Sequence, residues 1–356
     1  MFRISVAAVC GVGLMIASSL LPGYPAQAAG LGDIVGINAN NLFVLLRDPA
    51  TGGKYVDLIA QTGTGWVRVP ATWNQLEPAE GQYNWAQLDA EVNALRAHNL
   101  NILLNLRSTP CWALAGQIPC YGQATPQHAM GSELPDRAKW QKFLSDLVAH
   151  YRGRIAYYEI WNETNNPVWL DVAGAAPDSQ QQIEGYRDNI LIPAAQAIHA
   201  ADPSARVVGP AYTPSMAKTA EELGQAYSVL LGGGGAQALD VVSIHIYPAR
   251  NLAKLGQVVR GAMQAAGAGN KPLWLTEFGC PASGDQVGYL GFLRQNQSEH
   301  IFDKLFWYAM GDNDIFAAPG KTGMTTGRVR FGLVDDDLTP RPGYAALQNF
   351  IQSGGQ

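Results

Sequence analysis

Residues 155–166 read Ile155-Ala156-Tyr157-Tyr158-Glu159-Ile160-Trp161-Asn162-Glu163-Thr164-Asn165-Asn166. The run opens apolar, aromatic and β-branched over a strand's length and then dissolves into polar residues, so it reads as a buried strand that gives way to a loop at Glu163. Seven other runs of the same character punctuate the chain: Ile34–Ile37, Trp66–Val69, Ile102–Leu106, Val207–Gly209, Val241–Ile246, Leu273–Thr276 and Leu305–Tyr308. The stretches between them carry apolar residues at helical spacing. These are Trp85–His98, Pro135–Tyr151 (Trp140, Phe143, Leu144 and Leu147 on one face), Gln180–Ala200 and Leu252–Ala266. Strand alternating with helix means a parallel sheet, and eight such units close into a single α/β (β/α)8 TIM barrel.

The N-terminus reads as a processing signal rather than as part of that barrel. Arg3 supplies a positive start, a charge-free apolar stretch follows from Ile4 to Leu21, and Ala26-Gln27-Ala28 fits an A-x-A cleavage pattern. Glycines and serines interrupt the stretch, which favours a removable signal peptide over residues 1–28 against a retained membrane anchor. Cys10 lies in it without a convincing lipobox. Residues 29–356 are then the barrel of an exported protein, secreted or periplasmic, with no linker long enough to divide it.

Hydrophobic residues make up 47% and charged residues 15% of the chain, a balance that supplies a large core and argues against disorder. The formal net charge of −5 comes without any Lys/Arg run, so nucleic acid, an anionic membrane surface and polyanionic substrates are not expected partners. Cys111 and Cys120 flank a short loop and are the expected disulfide in an exported chain, leaving Cys280 as the odd thiol. No C-x-x-C or H-E-x-x-H motif occurs, so neither a metal nor another cofactor is expected. A solvated turn explains Asp335-Asp336-Asp337 better than calcium does. The protein is expected to act as a monomer.

Active sites of such barrels form where the strands end. Glu163 ends the fourth run, and Glu277 ends the seventh, Leu273-Trp274-Leu275-Thr276-Glu277-Phe278-Gly279. Two carboxylates on one rim suit glycoside hydrolysis, in which one protonates the leaving oxygen while the other attacks the anomeric carbon or activates water. The nearby second charge is expected to help keep the first group protonated. Arg68, in an otherwise apolar strand, needs a buried anion: Glu277, or Glu159, which shares parity with Glu163 on its own strand. His245 and Tyr247, two residues apart, point the same way. Tyr247 is placed to hold Glu277 by a hydrogen bond while His245 lines the sugar subsite.

These residues resemble the clan of (β/α)8 glycoside hydrolases whose catalytic glutamates end strands four and seven. The resemblance rests on Asn162-Glu163, Glu277, His245-Ile246-Tyr247 and Arg68 in Val67-Arg68-Val69-Pro70. It extends to Trp73-Asn74-Gln75-Leu76-Glu77-Pro78 with Gly81-Gln82-Tyr83-Asn84-Trp85, and to Phe331-Gly332-Leu333-Val334 with Arg341-Pro342-Gly343-Tyr344. It spans about Asp33 to Ile351 and is most like glycoside hydrolase family 39, with family 5 second. It implies Glu163 as acid/base, Glu277 as nucleophile, Asn162 on the sugar 2-hydroxyl and Arg68 orienting the nucleophile, in a retaining mechanism on β-glycosides.

A sugar cleft also needs aromatic platforms. Trp307 at the eighth strand end is the leading candidate, with Trp112, Tyr121 and Trp169 on loops as outer-subsite or packing residues, and Asn105 and Arg107 at the third strand's exit as further substrate contacts. The expected substrate is an oligo- or polysaccharide, cut internally: an exopolysaccharide, a β-glucan or a xylan. An exo-acting β-xylosidase, a transglycosylase and a non-catalytic glycan-binding barrel remain as alternatives.

Overall fold

The structure, a computed structural model, describes residues 30–116, 131–214, 219–247, 251–282, 284–312 and 330–355. Eight strands close a barrel in sequence order: β1 (Val35–Asn38), β2 (Trp66–Thr72), β3 (Asn101–Arg107), β4 (Tyr157–Ile160), β5 (Arg206–Tyr212), β6 (Val241–His245), β7 (Leu273–Phe278) and β8 (Lys304–Trp307). Every pair is parallel, and β8 returns to β1 through Val35↔Leu305 and Ile37↔Trp307. Each of the eight apolar runs is one of these strands, with ends shifted by a few residues.

Alternation along the strands sorts side chains into two cores. Outward residues join the helices in one large cluster. Inward residues Trp66, Leu103, Val208, Val241, Trp274 and Phe306 form a second cluster, with Tyr157 packed on it, that plugs the barrel floor. Its rings meet edge-on or tilted: Trp66 lies 5.0 Å from Tyr157 and 5.4 Å from Trp274. β1 contributes no ring here, because it carries Gly36. A Cβ there would stand 2.4 Å from the Phe306 ring. Gly36→Ala is therefore expected to destabilise the fold by about 1–3 kcal/mol through overpacking. That outweighs the roughly 0.5–1 kcal/mol that alanine regains in backbone entropy. Urea denaturation would show the lower midpoint.

The helices start where the sequence supplies caps. Asp48 accepts from Ala50 N at 3.3 Å ahead of Pro49–Gln61, Asp136 caps Arg137–Tyr151, and Thr219 and Glu222 form a capping box on Ala220–Leu231. The expected helix Gln180–Ala200 is interrupted. Gln180–Tyr186 widens into a π-turn at Arg187–Leu191 before Ile192–Ala201 resumes. Pro193 is the physical reason, since it has no N–H to give to a carbonyl one turn back. Among the described residues, no helix is long and apolar enough to cross a membrane.

Candidate active site

Above the aromatic floor, the barrel interior turns polar. Arg68, two residues beyond Trp66 on β2, is fully buried and points into the lumen. Its guanidinium donates to Glu159 Oε2 at 2.6 Å, Glu277 Oε1 at 2.5 Å, Asn38 Oδ1 at 2.9 Å and Asn162 Oδ1 at 3.0 Å. Both anions considered for it are thus its partners. Burial works against its charge, but Glu159 and Glu277 together hold its pKa above the ordinary value. Glu159, equally buried, also accepts from Ser243 at 3.0 Å and Asn105 at 3.1 Å. Burial raises its pKa, and Arg68, with His245 and Thr276 adding to it, more than reverses this.

Two departures from regular strand geometry bring the rim carboxylates inward. In β7 one extra residue is accommodated: Ile244 pairs with Leu275 but His245 with Glu277, and on the other flank Leu275 pairs with Leu305 but Phe278 with Trp307. The bulge turns Glu277 toward the lumen. After β4, Trp161 and Glu163 adopt left-handed backbone, φ 71° and 39°, a conformation that costs a non-glycine residue free energy and must be held by its surroundings. The hold is visible. Trp161 N donates to Leu106 O at 2.7 Å, its carbonyl accepts from Asn105 at 2.6 Å, and its indole donates to Trp169 O at 2.7 Å. The result presents Asn162 and Glu163, adjacent in sequence, to the same cavity.

Glu163 Oε1 and Glu277 Oε2 each lie 3.5 Å from His245 Nδ1, a long contact. One oxygen of each carboxylate and one ring nitrogen of His245 lie within 4.8 Å of one another. Tyr247 donates to Glu277 Oε2 at 3.0 Å, and its ring meets Tyr308 and Phe331 edge-on. Burial and the Glu277 charge keep that hydroxyl protonated. Glu163 Oε2 accepts from Trp169 Nε1 at 3.0 Å and Asn166 Nδ2 at 3.2 Å. Burial pushes Glu163 up, but His245, Asn166 and Trp169 together hold it below the ordinary carboxylate range. The net direction at Glu163 is thus set by these donors, and the Glu277 charge does not reverse it. Arg68 takes up that charge, and the donors on Glu163 favour its ionised form.

Three expected substrate contacts lie elsewhere. Trp307 pairs with Phe278 in register and so points out of the barrel. It is fully buried against Phe278 and Tyr289 and offers no face to a sugar. Tyr308, the next residue, stands beside Tyr247 instead. Asn105 is fully buried one layer below the rim, holding Glu159 and Trp161. Trp112 is a packing residue: its indole donates to Glu77 O at 3.1 Å, Trp73 meets it edge-on, and Lys139 sits over its ring. Tyr121 and Cys120 lie outside the described residues, and Cys280 is a buried free thiol. The Trp73–Pro78 motif is structural, since the buried Glu77 accepts from Trp73 Nε1 at 2.7 Å and Gly81 N at 2.8 Å. In the C-terminal motif, Arg341 pairs with Asp312 at 2.7 Å and ties that segment to the end of β8. Sequence reasoning missed the bonds from Asn166 and Trp169 to Glu163. Both residues stand in the polar tail of the fourth run, but no spacing rule reports a loop's fold back onto its own strand.

The family model for cellulase (glycosyl hydrolase family 5) matches residues 32–313. Among solved structures, the chain is similar to a beta-xylosidase from Caulobacter crescentus CB15, at 20% identity and TM-score 0.66 over 91% of this chain and 69% of that one. It is also similar to a family 39 glycoside hydrolase from the gut symbiont Bacteroides cellulosilyticus WH2, at 17% identity and TM-score 0.61 over 88% of this chain. An exo-beta-1,4-mannosidase from Opitutaceae bacterium strain TAV5 matches at 17% identity and TM-score 0.60 over 91% of this chain. The chain spans 62% of the family 39 hydrolase's length and 60% of the mannosidase's. These structural likenesses concern the fold. No curated relative matches the chain.

Proposed function

The chain belongs to glycosyl hydrolase family 5, and from that premise we propose that it cleaves β-glycosidic bonds with retention, using Glu277 as nucleophile and Glu163 as acid/base. The closeness of the two carboxylates carries this reading. Their facing oxygens lie within 4.8 Å around His245, nearer the roughly 5–5.5 Å of a retaining pair than the roughly 6.5–9.5 Å that admits a water for inversion. The role assignment follows from the partners. Glu277 is bound to a buried guanidinium, which fixes one of its oxygens and aims the other at the cavity, whereas among the described residues no guanidinium is bonded to Glu163, which is left to exchange a proton.

In the first step, Glu277 Oε2 bonds to the anomeric carbon as the glycosidic C–O bond breaks, and Glu163 gives its proton to the departing oxygen. In the second, Glu163 takes a proton from water, whose oxygen bonds to the anomeric carbon and frees Glu277. Asn162, held by Arg68 through its Oδ1, has no partner for its amide N–H among the described residues and so can offer it to a sugar hydroxyl. His245 lies between the carboxylates and Tyr247 steadies the nucleophile.

The family's description as cellulase supports a β-linked polysaccharide as substrate, cut internally. A screen of purified β-glucans, xylans and exopolysaccharides with product-length analysis tests this. Mixed oligosaccharides are the expected products. Single sugars released from one end would indicate exo-action, products longer than the substrate a transglycosylase, and binding without turnover a non-catalytic barrel. The first 28 residues fit an export signal and Cys111 with Cys120 a disulfide. An exported protein should begin near Ala29 and gain two mass units on reduction.

A further inference from the structure

Trp169 differs from the chain's packing tryptophans in what its N–H meets. Trp112, Trp140 and Trp161 donate to backbone carbonyls and Trp73 to the structural carboxylate of Glu77, whereas Trp169 donates to the rim carboxylate of Glu163 at 3.0 Å. Its backbone is pinned from both sides, its N–H on Asn166 O at 2.9 Å and its carbonyl on the Trp161 indole at 2.7 Å. The Arg107 guanidinium lies 4.5 Å from the centre of its ring, where a cation is attracted to the ring face and draws electron density from the N–H.

We propose that Trp169 is a positioning residue for proton transfer: it reserves Glu163 Oε2 as an acceptor, so that the proton exchanged with the glycosidic oxygen travels on Oε1 alone, and Arg107 fixes the indole in that pose. The inference rests on the acid/base reading of Glu163. Its chemistry is direct. Oε2 already accepts N–H bonds from Trp169 and Asn166, and a proton placed there would confront two donors. Oε1 faces His245 and the nucleophile, so a proton there lies on the side where the bond breaks.

Several titratable groups surround Glu163: Arg68 on β2, Arg107 on β3, Glu159 on β4, His245 and Tyr247 at β6, Glu277 on β7 and Tyr308 beyond β8. None of them touches Oε2. Trp169→Phe therefore removes one interaction and leaves these charges in place. Loss of a donor to a carboxylate disfavours its ionised form, so Glu163 should keep its proton to higher pH. The basic limb of kcat/KM is expected to move up by about one pH unit. Turnover of glycosides with poor leaving groups should fall more than turnover of activated aryl glycosides, which need little protonation. A limb that stays in place while activity falls evenly at all pH values would overturn the proposal. If Trp169→Phe does not fold, Asn166→Ala removes the other donor from the same oxygen. A basic limb displaced upward again supports Oε2 as the reserved oxygen, and an unmoved one contradicts it. Difference infrared titration of the Glu163 carboxyl, against Glu163→Gln, reads the same shift without turnover. A shifted carboxyl in a protein inactive on every glycoside would count against the functional reading alone. An unmoved carboxyl in an active enzyme would count against this inference alone.

Discussion

Glu277→Ala is expected to abolish turnover of an activated β-glycoside, by on the order of 10⁴–10⁶-fold, and azide should restore it as an α-glycosyl azide. The size of the loss follows from the double-displacement scheme. Without a carboxylate on the anomeric carbon there is no covalent intermediate, and a water in the vacated space has no base to activate it. Azide enters the space left by the missing side chain, attacks from the nucleophile's face and inverts the anomeric centre once. Glu163→Ala should behave differently. The glycosyl-enzyme still forms with a good leaving group, azide replaces water in the second step, and the product is the β-glycosyl azide. Swapped products would exchange the two roles. The Glu277 variant should remain folded, because Arg68 keeps Glu159 as a partner at 2.6 Å.

Arg68→Met is expected to have the largest effect on stability. Methionine fills much of the volume but leaves Glu159 and Glu277 buried without their cation. Breaking a buried pair in this way costs about 3–5 kcal/mol. The sign of its pH dependence follows from linkage. In the parent, Arg68 depresses the folded-state pKa of Glu159. That contribution is present above the unfolded carboxylate pKa and fades as pH falls through the folded value. In the variant, burial without a cation raises the Glu159 pKa, so acidification relieves the penalty by protonating the group. The stability gap between parent and variant should therefore be wide near neutral pH and narrow toward about pH 5. Urea denaturation at the two pH values measures it, and a gap that widens on acidification would refute the account of Arg68. Activity should fall as well, since the oxygen of Glu277 held at 2.5 Å would lose its fixed direction.

The residues that carry local information were legible in the sequence. Eight apolar runs marked eight strands because each is buried on both faces and therefore apolar nearly throughout. Glu163, Glu277, Arg68, His245 and Tyr247 stand together at one end of the barrel because each lies at or near a strand's C-terminal half. What escaped notice depends on small departures from regularity. The extra residue in β7 changes which neighbours face the lumen, and no pattern of hydrophobicity reports it. Strict alternation from Glu277 would nonetheless have turned Phe278 outward, and Trp307, its partner, with it. The left-handed backbone at Trp161 is likewise set by partners outside the strand, Leu106 on the neighbouring strand and Trp169 on the following loop among them. The π-turn ahead of Pro193 was within reach, since proline inside a helical pattern is a breaker. Asn105 was misplaced by one layer, because strand-end position alone does not say how far up the lumen a side chain stands.

The central claim is that Glu163 and Glu277 act as a retaining pair. Proton NMR of the anomeric signals during the first minutes of hydrolysis of a β-linked substrate tests it most directly. The β-anomer should appear first, with the α-anomer growing in only as the product mutarotates. An α-anomer present from the first spectrum would mean a single displacement by water, and the roles assigned to both glutamates would fail.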